Sequence, residues 1–514
     1  MQDADFKKEI DAIISLRSDV DANWQKIDRY FDNGKNHTGR SFGFLSHSSS
    51  THLAQSTDIK KQQKHTSILT NITYEASNYF YSNLIGDHKK WCELEYIDER
   101  DRKAFHLKRW LVEANKKLEH LRTVPNTHFK GALLESIRQL LLYGNCCVGV
   151  SLNTQSQVPH PVYVCIDIRD IYLFRDQAGE VKKIVRVLRL TAEEIKINFN
   201  HTLSGVDHKH WKSEQKIIYH YCFEYQGKWL SVFLLDEQNI ILKREIRQFA
   251  PYVIGHFNLS PQSNYGHGPA LPALSDAEIL NRAWRSQIRA SEKLVDPPII
   301  TSDLERALNL NPGGINTGMI DAQGKPLAQT LNLAGNPQFA DRIIASLVET
   351  AKKHFMIDLF SNISDPRYTA TQIAEMARAK GDLLSPRASI IEESLLAGIV
   401  KHEIENLKAI GILADNPYPI QVVFKSRREE LRRVIENAET QQSLSMISNM
   451  AQLSPQVLDV IDFDRLAQDI SQSSSLKDAV RSSDEIEELR RTRAEQQAQA
   501  QAQQQQLAMI AGQQ

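Results

Sequence analysis

No run of apolar residues in this sequence approaches the roughly 18 needed to cross a bilayer as a helix, so no helical membrane anchor is expected. A basic excess is missing too: 62 Lys and Arg stand against 63 Asp and Glu, a formal net charge of −1. Affinity for nucleic acid comes largely from neutralised phosphates. The balance therefore excludes a tight, charge-driven grip on DNA or RNA and leaves room only for weak contact. Cysteine is sparse, with five residues: Cys92, Cys146, Cys147, Cys165 and Cys222. Their number is odd, their spacing is irregular and the adjacent pair is not a C-x-x-C motif, which argues against a disulfide framework or a zinc ribbon. Reduced thiols are expected. The first residues, MQDADFKKEIDAI, are polar and amphipathic, unlike a signal peptide. The chain is expected to be made and kept in the cytosol unless another component carries it outside.

Motifs for chemistry are absent as well. Gly313 and Gly318 have the spacing that opens a phosphate loop, but Met319 stands where its lysine belongs. Gly266-x-Gly268 is followed by Pro269 and not by a third glycine and a helix, so a dinucleotide fingerprint fails. There is no G-x-S-x-G elbow and no H-E-x-x-H pair. His201, His208 and His210, beside Asp207, read as a solvated loop, and the Glu392-Glu393 pair as a solvated helix face. No catalytic, cofactor-binding or metal-ligating residue is expected, and no enzyme.

What is present is pattern. The 514 residues allow about three or four structural units. One amphipathic helix is expected over 5–31, a loop over 33–56, and helices near 66–85, 100–122 and 127–143, the last stopped by Gly144. From Cys146 to about 260, short β-rich runs (CCVGV, PVYVCIDI, KKIVRVLRL, KIIYHYCFEY, WLSVFLLD) alternate with turn signals at 176–179 and 225–227. Residues 190–212 read as a polar, partly helical insertion. Helix returns after 270. Ser275-x-x-Glu278 is a capping-box pattern, and Ala277, Leu280, Trp284, Ile288 and Val295 share one stripe that Asp296-Pro297-Pro298 terminates. Asn336 and Pro337 open the next helix, whose Phe339, Ile343, Ile344, Leu347, Val348, Ala351, Phe355 and Leu359 fall at helical spacing. Thr369-x-x-Gln372 opens a third helix that Pro386 is expected to kink. Further helices are expected over 427–450 and 455–482, before a charged and then Gln-rich tail.

The two helices near 276–296 and 337–360 are each about 30–36 Å long, and they flank a segment that carries its own strand candidates and turn residues. That arrangement reads as a hairpin-like stalk with a small module at its tip, or as an ordinary helix pair inside one core.

The run Tyr265-Gly266-His267-Gly268-Pro269-Ala270, continued by LPALSDAEILNRAWRSQIRASEKLVDPP, resembles the Y-G-x-G-P-x-x-x-A-L-x-D-x-x-x-L-N segment of podoviral portal proteins, the head-to-tail connectors of short-tailed bacteriophages. TATQIAEMARAKGDLLSP resembles the helix that follows the tunnel-facing loop in that family. Trp24-x-x-Ile27-x-x-Tyr30-Phe31, the run from Ile68 to Trp91, and the stretch from Phe129 to Val150 resemble its N-terminal elements. The resemblance covers most of 20–440. Where the family usually has an L-A-S-x-L-like run this chain has EASNYFYSNLIGD, and the last 80 residues carry no family motif.

The resemblance implies a mainly helical α+β portal fold that assembles as a dodecameric ring. It implies a wing over 1–270, a first stem helix over 271–297, a clip over 298–337 and a second stem helix over 338–360. A tunnel loop, long kinked helix and return to the wing would occupy 361–426, a helical crown 427–483, and a charged, then Gln-rich tail, either a helical barrel or disordered, 484–514. Site residues follow from the same resemblance: Asn362, Asp365, Arg367 and Tyr368 facing DNA in the tunnel loop; Leu280, Trp284, Ile343 and Leu347 for stem oligomerisation; Pro312, Gly313, Gly314 and Gly324 for clip turns; Pro386 for the helix kink. Implied partners are double-stranded DNA held weakly and without sequence preference, the terminase motor, a tail adaptor, and capsid and scaffolding proteins, with no membrane and no cofactor. The implied location is the capsid portal vertex of the virion, with assembly in the host cytoplasm. A cytosolic helical adaptor and a phage nucleic-acid enzyme are the rival readings.

Overall fold

The computed structural model describes residues 3–32, 64–86, 91–98, 100–101, 105–153, 159–201, 215–301, 308–311, 313–321, 323–330, 337–360, 370–424 and 492. The chain divides into two compact units, Met1–Arg427 and Arg428–Gln514, and every helix and strand with described bounds lies in the first. The loop expected over 33–56 and the helices expected after 426 lie outside the described residues.

The N-terminal pattern makes two helices, α1 (Asp3–Ser15) and α2 (Ser18–Phe31), and not one. The break lets two apolar faces meet two different partners. Phe6, Ile10 and Ile13 bury against a β-sheet, while Trp24, Ile27, Tyr30 and Phe31 enter the main core. Arg17 at the break is fully buried. Its guanidinium donates to the carbonyls of Ile171 at 2.7 Å and Arg169 at 2.6 Å, pairs with Asp21 at 2.7 Å, and lies 3.6 Å over the Tyr172 ring. A buried charge of this kind is tolerated only when it is so satisfied.

Next come α3 (Ile68–Leu84), β1 (Cys92–Tyr96), α4 (Phe105–Thr123) and α5 (Phe129–Tyr143). Gly144 ends α5 in the left-handed conformation, φ 76°, as its position in the sequence suggests. Then follow β2 (Asn145–Asn153), β3 (His160–Ile166), β4 (Ile171–Arg175), β5 (Val181–Thr191), the short helix α6 (Ala192–Phe199), β6 (Gln215–Tyr225), β7 (Lys228–Leu235), β8 (Ile240–Arg247) and β9 (Tyr252–His256). All five expected β runs form strands. β4, β8 and β9 add to them, and α6 is set by a Thr191–Glu194 capping box. The strands make an antiparallel sheet β4-β5-β6-β7-β8 and a second, β3-β2-β9. The expected turns close hairpins: Asp176 caps its own turn by accepting the N–H groups of Ala178 and Glu180, and Gln226 and Gly227 both take positive φ.

The remaining elements are α7 (Leu274–Val295), β10 (Ile299–Thr301), β11 (Ala328–Thr330), α8 (Pro337–His354), α9 (Ile357–Phe360), α10 (Ala370–Ile391), a π turn over Glu392–Leu396, α11 (Ala397–Ala409) and β12 (Ile420–Phe424). β12 returns to pair with β1, so the chain near 424 closes back on the N-terminal half. The main core collects α2, α3, α5, β2, β9, the base of α7 and α11. The α+β class is as expected.

Buried titratable groups oppose one another in this core. Burial, reinforced by the nearby Arg186 and Arg247, lowers His220 to about 3, and burial lowers His256 and His402 to about 4. Protonation of these rings favours the unfolded chain, so their contribution is lost as pH falls below the ordinary histidine value. Burial raises Asp21 to about 6, and burial with the neighbouring Asp167 raises Asp170 to about 7. Their contribution has the opposite sign: it is present in acid and lost as pH rises through those values. Asp170→Asn removes one offset, so thermal stability should fall more steeply for the variant than for the parent between about pH 7 and about pH 5. Melting curves across that range check this; parallel slopes would mean that Asp170 titrates at its ordinary value.

Candidate assembly and channel elements

The Tyr265–Ala270 motif is a packing joint. A methyl group at Gly144 would lie 2.3 Å from the Gly266 carbonyl oxygen, and one at Gly268 would lie 2.4 Å from that of Leu141. The Asn145 side chain accepts the Gly266 N–H at 2.6 Å and donates to the Gly255 carbonyl at 3.2 Å. The Tyr265 hydroxyl accepts the Leu173 N–H at 2.9 Å, and burial pushes that phenol up to about 12. Three elements are thus locked where α7 begins, which fixes the direction in which that helix leaves the core.

Ala277, Leu280 and Asn281 bury the first turns of α7, with Asn281 accepting the His65 N–H at 2.8 Å. Helix α8 packs antiparallel on α7. His354 meets Asp276 at 3.2 Å near the base, and the Gln287 amide donates to Asp341 at 3.2 Å further out. Beyond the base, the apolar stripe of α7 emerges from its own chain. Trp284 is half-buried, Ile288 is 38% exposed and Val295 is 87% exposed. A groove of about 640 Å³ runs along this flank, lined by Trp284, Gln287, Ile288, Ser291 and Val295 among others. On α8, Ile344 and Ala351 are buried, as is Phe355 just past its end, and Leu347 packs on the core, while Ile343 is 38% exposed.

Three expectations about this hairpin need correction. Leu280 is buried within its own chain and leaves no surface for a neighbour. Ser275 does not cap α7, which starts one residue earlier with Ala273 at its N-cap and no side-chain cap bond. The second helix is not continuous to 360, because Met356 adopts φ 59°. The break seats Phe355 against Phe31 and then turns Ile357 into the same core. Pro337 opens α8 as expected, while Asn336 lies outside the described residues, as does the side chain of Phe339.

The segment between the helices has its own small framework. β10 and β11 pair antiparallel, Ile299 with Thr330. Gly313 and Gly324 take φ 78° and 81°, as turn residues should, and a methyl group on Gly314 would strike the Asn309 side chain at 2.7 Å. Asp321 accepts the N–H groups of Gln323 and Lys325, both at 2.8 Å. Pro312 lies outside the described residues. Sequence reading missed how apolar the surface of this segment is: Leu310, Ile315 and Ile320 are all exposed. The available signal was isolated aliphatic residues in a stretch rich in Asn, Gly and Pro.

Pro386 sits inside α10 as expected, and the departure from α geometry that the sequence did not announce is the π turn at Glu392–Leu396. There the Ser394 hydroxyl clasps the backbone of His256, and Gly398 admits Val253 where a methyl group would come within 2.7 Å. Asn362, Asp365, Arg367 and Tyr368 lie outside the described residues. Among the described residues the cysteines are free thiols, no group of His, Cys, Asp and Glu is arranged to hold a metal, and no helix is long and apolar enough to cross a membrane.

Among the described residues the arrangement offers exposed apolar and charged faces on a helix pair, and no group of side chains assembled for chemistry. Comparison with known proteins points the same way. A family model described as bacteriophage head to tail connecting protein matches residues 4–480. The chain is 26% identical over 248 residues to the probable portal protein of Bordetella phage BPP-1, covering 45% of this chain and 44% of that one. It is 23% identical over 241 residues to the portal protein of Salmonella phage epsilon15, covering 44% and 43%. The matched stretch spans less than half the length of either relative.

Proposed function

Because this chain belongs to the bacteriophage head-to-tail connecting protein family, we propose that it is the subunit of a portal ring, a dodecamer at one capsid vertex through which double-stranded DNA is packaged and ejected. The family is one of structural connectors and not of enzymes. The observation that carries the reading is the family match across 4–480, which takes in the α7–α8 hairpin and the segment at its tip. In this reading 1–270 form the wing, α7 and α8 the stem, 298–337 the clip, and 361–426 the tunnel loop, long helix and return to the wing. Residues 427–483 form the crown and 484–514 its extension. The exposed Leu310, Ile315 and Ile320 suit a docking surface that meets the terminase motor and later a tail adaptor. Capsid and scaffolding proteins surround the ring during assembly in the host cytoplasm.

Asn362, Asp365, Arg367 and Tyr368 form the polar constriction, with Arg367 repeated as a girdle of positive charge. DNA is held weakly and without sequence preference. Arg282, Arg285 and Arg289 are exposed on α7, but Glu278, Glu292 and Asp296 flank them along the same helix, and Glu278 already meets Arg282 at 3.5 Å. Strong phosphate contacts would hold the genome still.

Deleting 311–325 tests the docking role. The body should fold and assemble, because among the described residues of 311–325 only Met319 is a buried apolar one. DNA packaging should nevertheless fail in an assembly reaction. Packaging at the parental level would contradict the assignment.

A further inference from the structure

The hairpin presents two apolar surfaces that do not meet each other: the groove on α7 beside Trp284 and Ile288, and the flank of α8 that carries Ile343. No described residue of α8 lines the groove. We propose that, in the ring read above, the α7 groove of one subunit is filled by the Ile343 flank of α8 from the next.

Three observations support this pairing. The groove continues the stripe that Ala277 and Leu280 begin inside the core; Trp284 still packs on that core, and the same helix face turns to an exposed surface at Ile288. The indole N–H of Trp284 is buried yet has no acceptor among the described residues. Such a donor is costly to leave unmade, which marks the packing around Trp284 as incomplete in the single chain. Finally, a cyclic ring needs two unlike, complementary patches on each subunit, and the hairpin supplies one on each helix.

The register follows from contacts within one chain. From Asp276 to Gln287 α7 rises about 16 Å, and from Asp341 to His354 α8 covers about 20 Å at 1.5 Å per residue. The pairs Asp276–His354 and Gln287–Asp341 thus mark matching heights on the two helices to within the few ångströms by which those rises differ. Rotation about a ring axis along the hairpin preserves height. Ile343 of the neighbour then falls between the levels of Trp284 and Ile288, where the groove is apolar. Ile288 and Ile343 are both 38% exposed in the single chain, as unfilled halves of one contact would be.

The inference rests on the ring reading, and the test separates the two. Two differently tagged full-length chains are co-assembled, one carrying Ile288→Cys and the other Ile343→Cys, then oxidised and run on a non-reducing gel. A bond between the two tags is expected at many times the level of either single variant oxidised alone. The native cysteines give little background, since four are buried and Cys165 is half-buried. Ring-sized particles without that bond overturn the pairing while leaving the ring intact. A parent protein that forms no ring overturns both. If either cysteine chain fails to assemble, Ser291→Cys with Ala340→Cys tests the same register with the same offset in height, and absence of its bond in assembled rings also overturns the pairing.

Discussion

Glu403→Ala is expected to lower the free energy of unfolding by about 3–5 kcal/mol, the cost of leaving a buried charge without its partner. Glu403 of α11 receives both the Nε and Nη2 donors of Arg122 from α4, and the Tyr163 hydroxyl of β3 donates to it as well. The side chains of the pair are 6% and 2% exposed. Arg122 also lies 4.5 Å over the Trp91 ring and donates to the Cys92 sulfur at 3.2 Å. Three segments far apart in sequence are therefore fastened at one point. Arginine does not lose its proton inside proteins, so the guanidinium stays charged in the variant and cannot escape its burial by deprotonating. Denaturant titration of the variant against the parent measures the loss. A change under about 1 kcal/mol, typical of an exposed pair, would show that water reaches this cluster.

Trp284→Ala should separate folding from assembly. The side chain is only half-buried in the single chain, so the folding cost should fall short of the roughly 3–5 kcal/mol of a fully enclosed tryptophan. At a subunit interface a tryptophan in a closing groove is typically worth about 2 kcal/mol or more, which is roughly thirtyfold in association per contact. Sedimentation over a range of concentrations should therefore show the variant falling apart to single chains where the parent stays assembled, while melting of the folded chain falls by less than the loss of a fully enclosed tryptophan would cause. Unaltered assembly would remove Trp284 from the interface.

The sequence made the α+β class, the strand runs, the Gly144 stop and the helical hairpin legible because each rests on local periodicity or on one punctuating residue. It misled where tertiary contacts overrode a local pattern. The break at Arg17 was invisible because its partners, the carbonyls of Ile171 and Arg169, lie more than 150 residues away. The turn at Met356 was equally hidden, since only the pocket around Phe31 explains why Phe355 ends a helix. Leu280 and Val295 share one stripe, yet the first is core and the second is 87% exposed. Helical spacing shows that a face is apolar and not where its own chain stops covering it. The tip segment was legible as turns, from its glycines, and illegible as an apolar surface, because isolated aliphatic residues carry no period.

The central claim is a closed ring, and direct imaging of the purified full-length chain tests it most simply. Negative-stain particles should be rings with a central hole, and the mass in solution should be about twelve times 58.6 kDa. Compact particles without a hole, with the mass of one or two chains at every concentration tried, would contradict it.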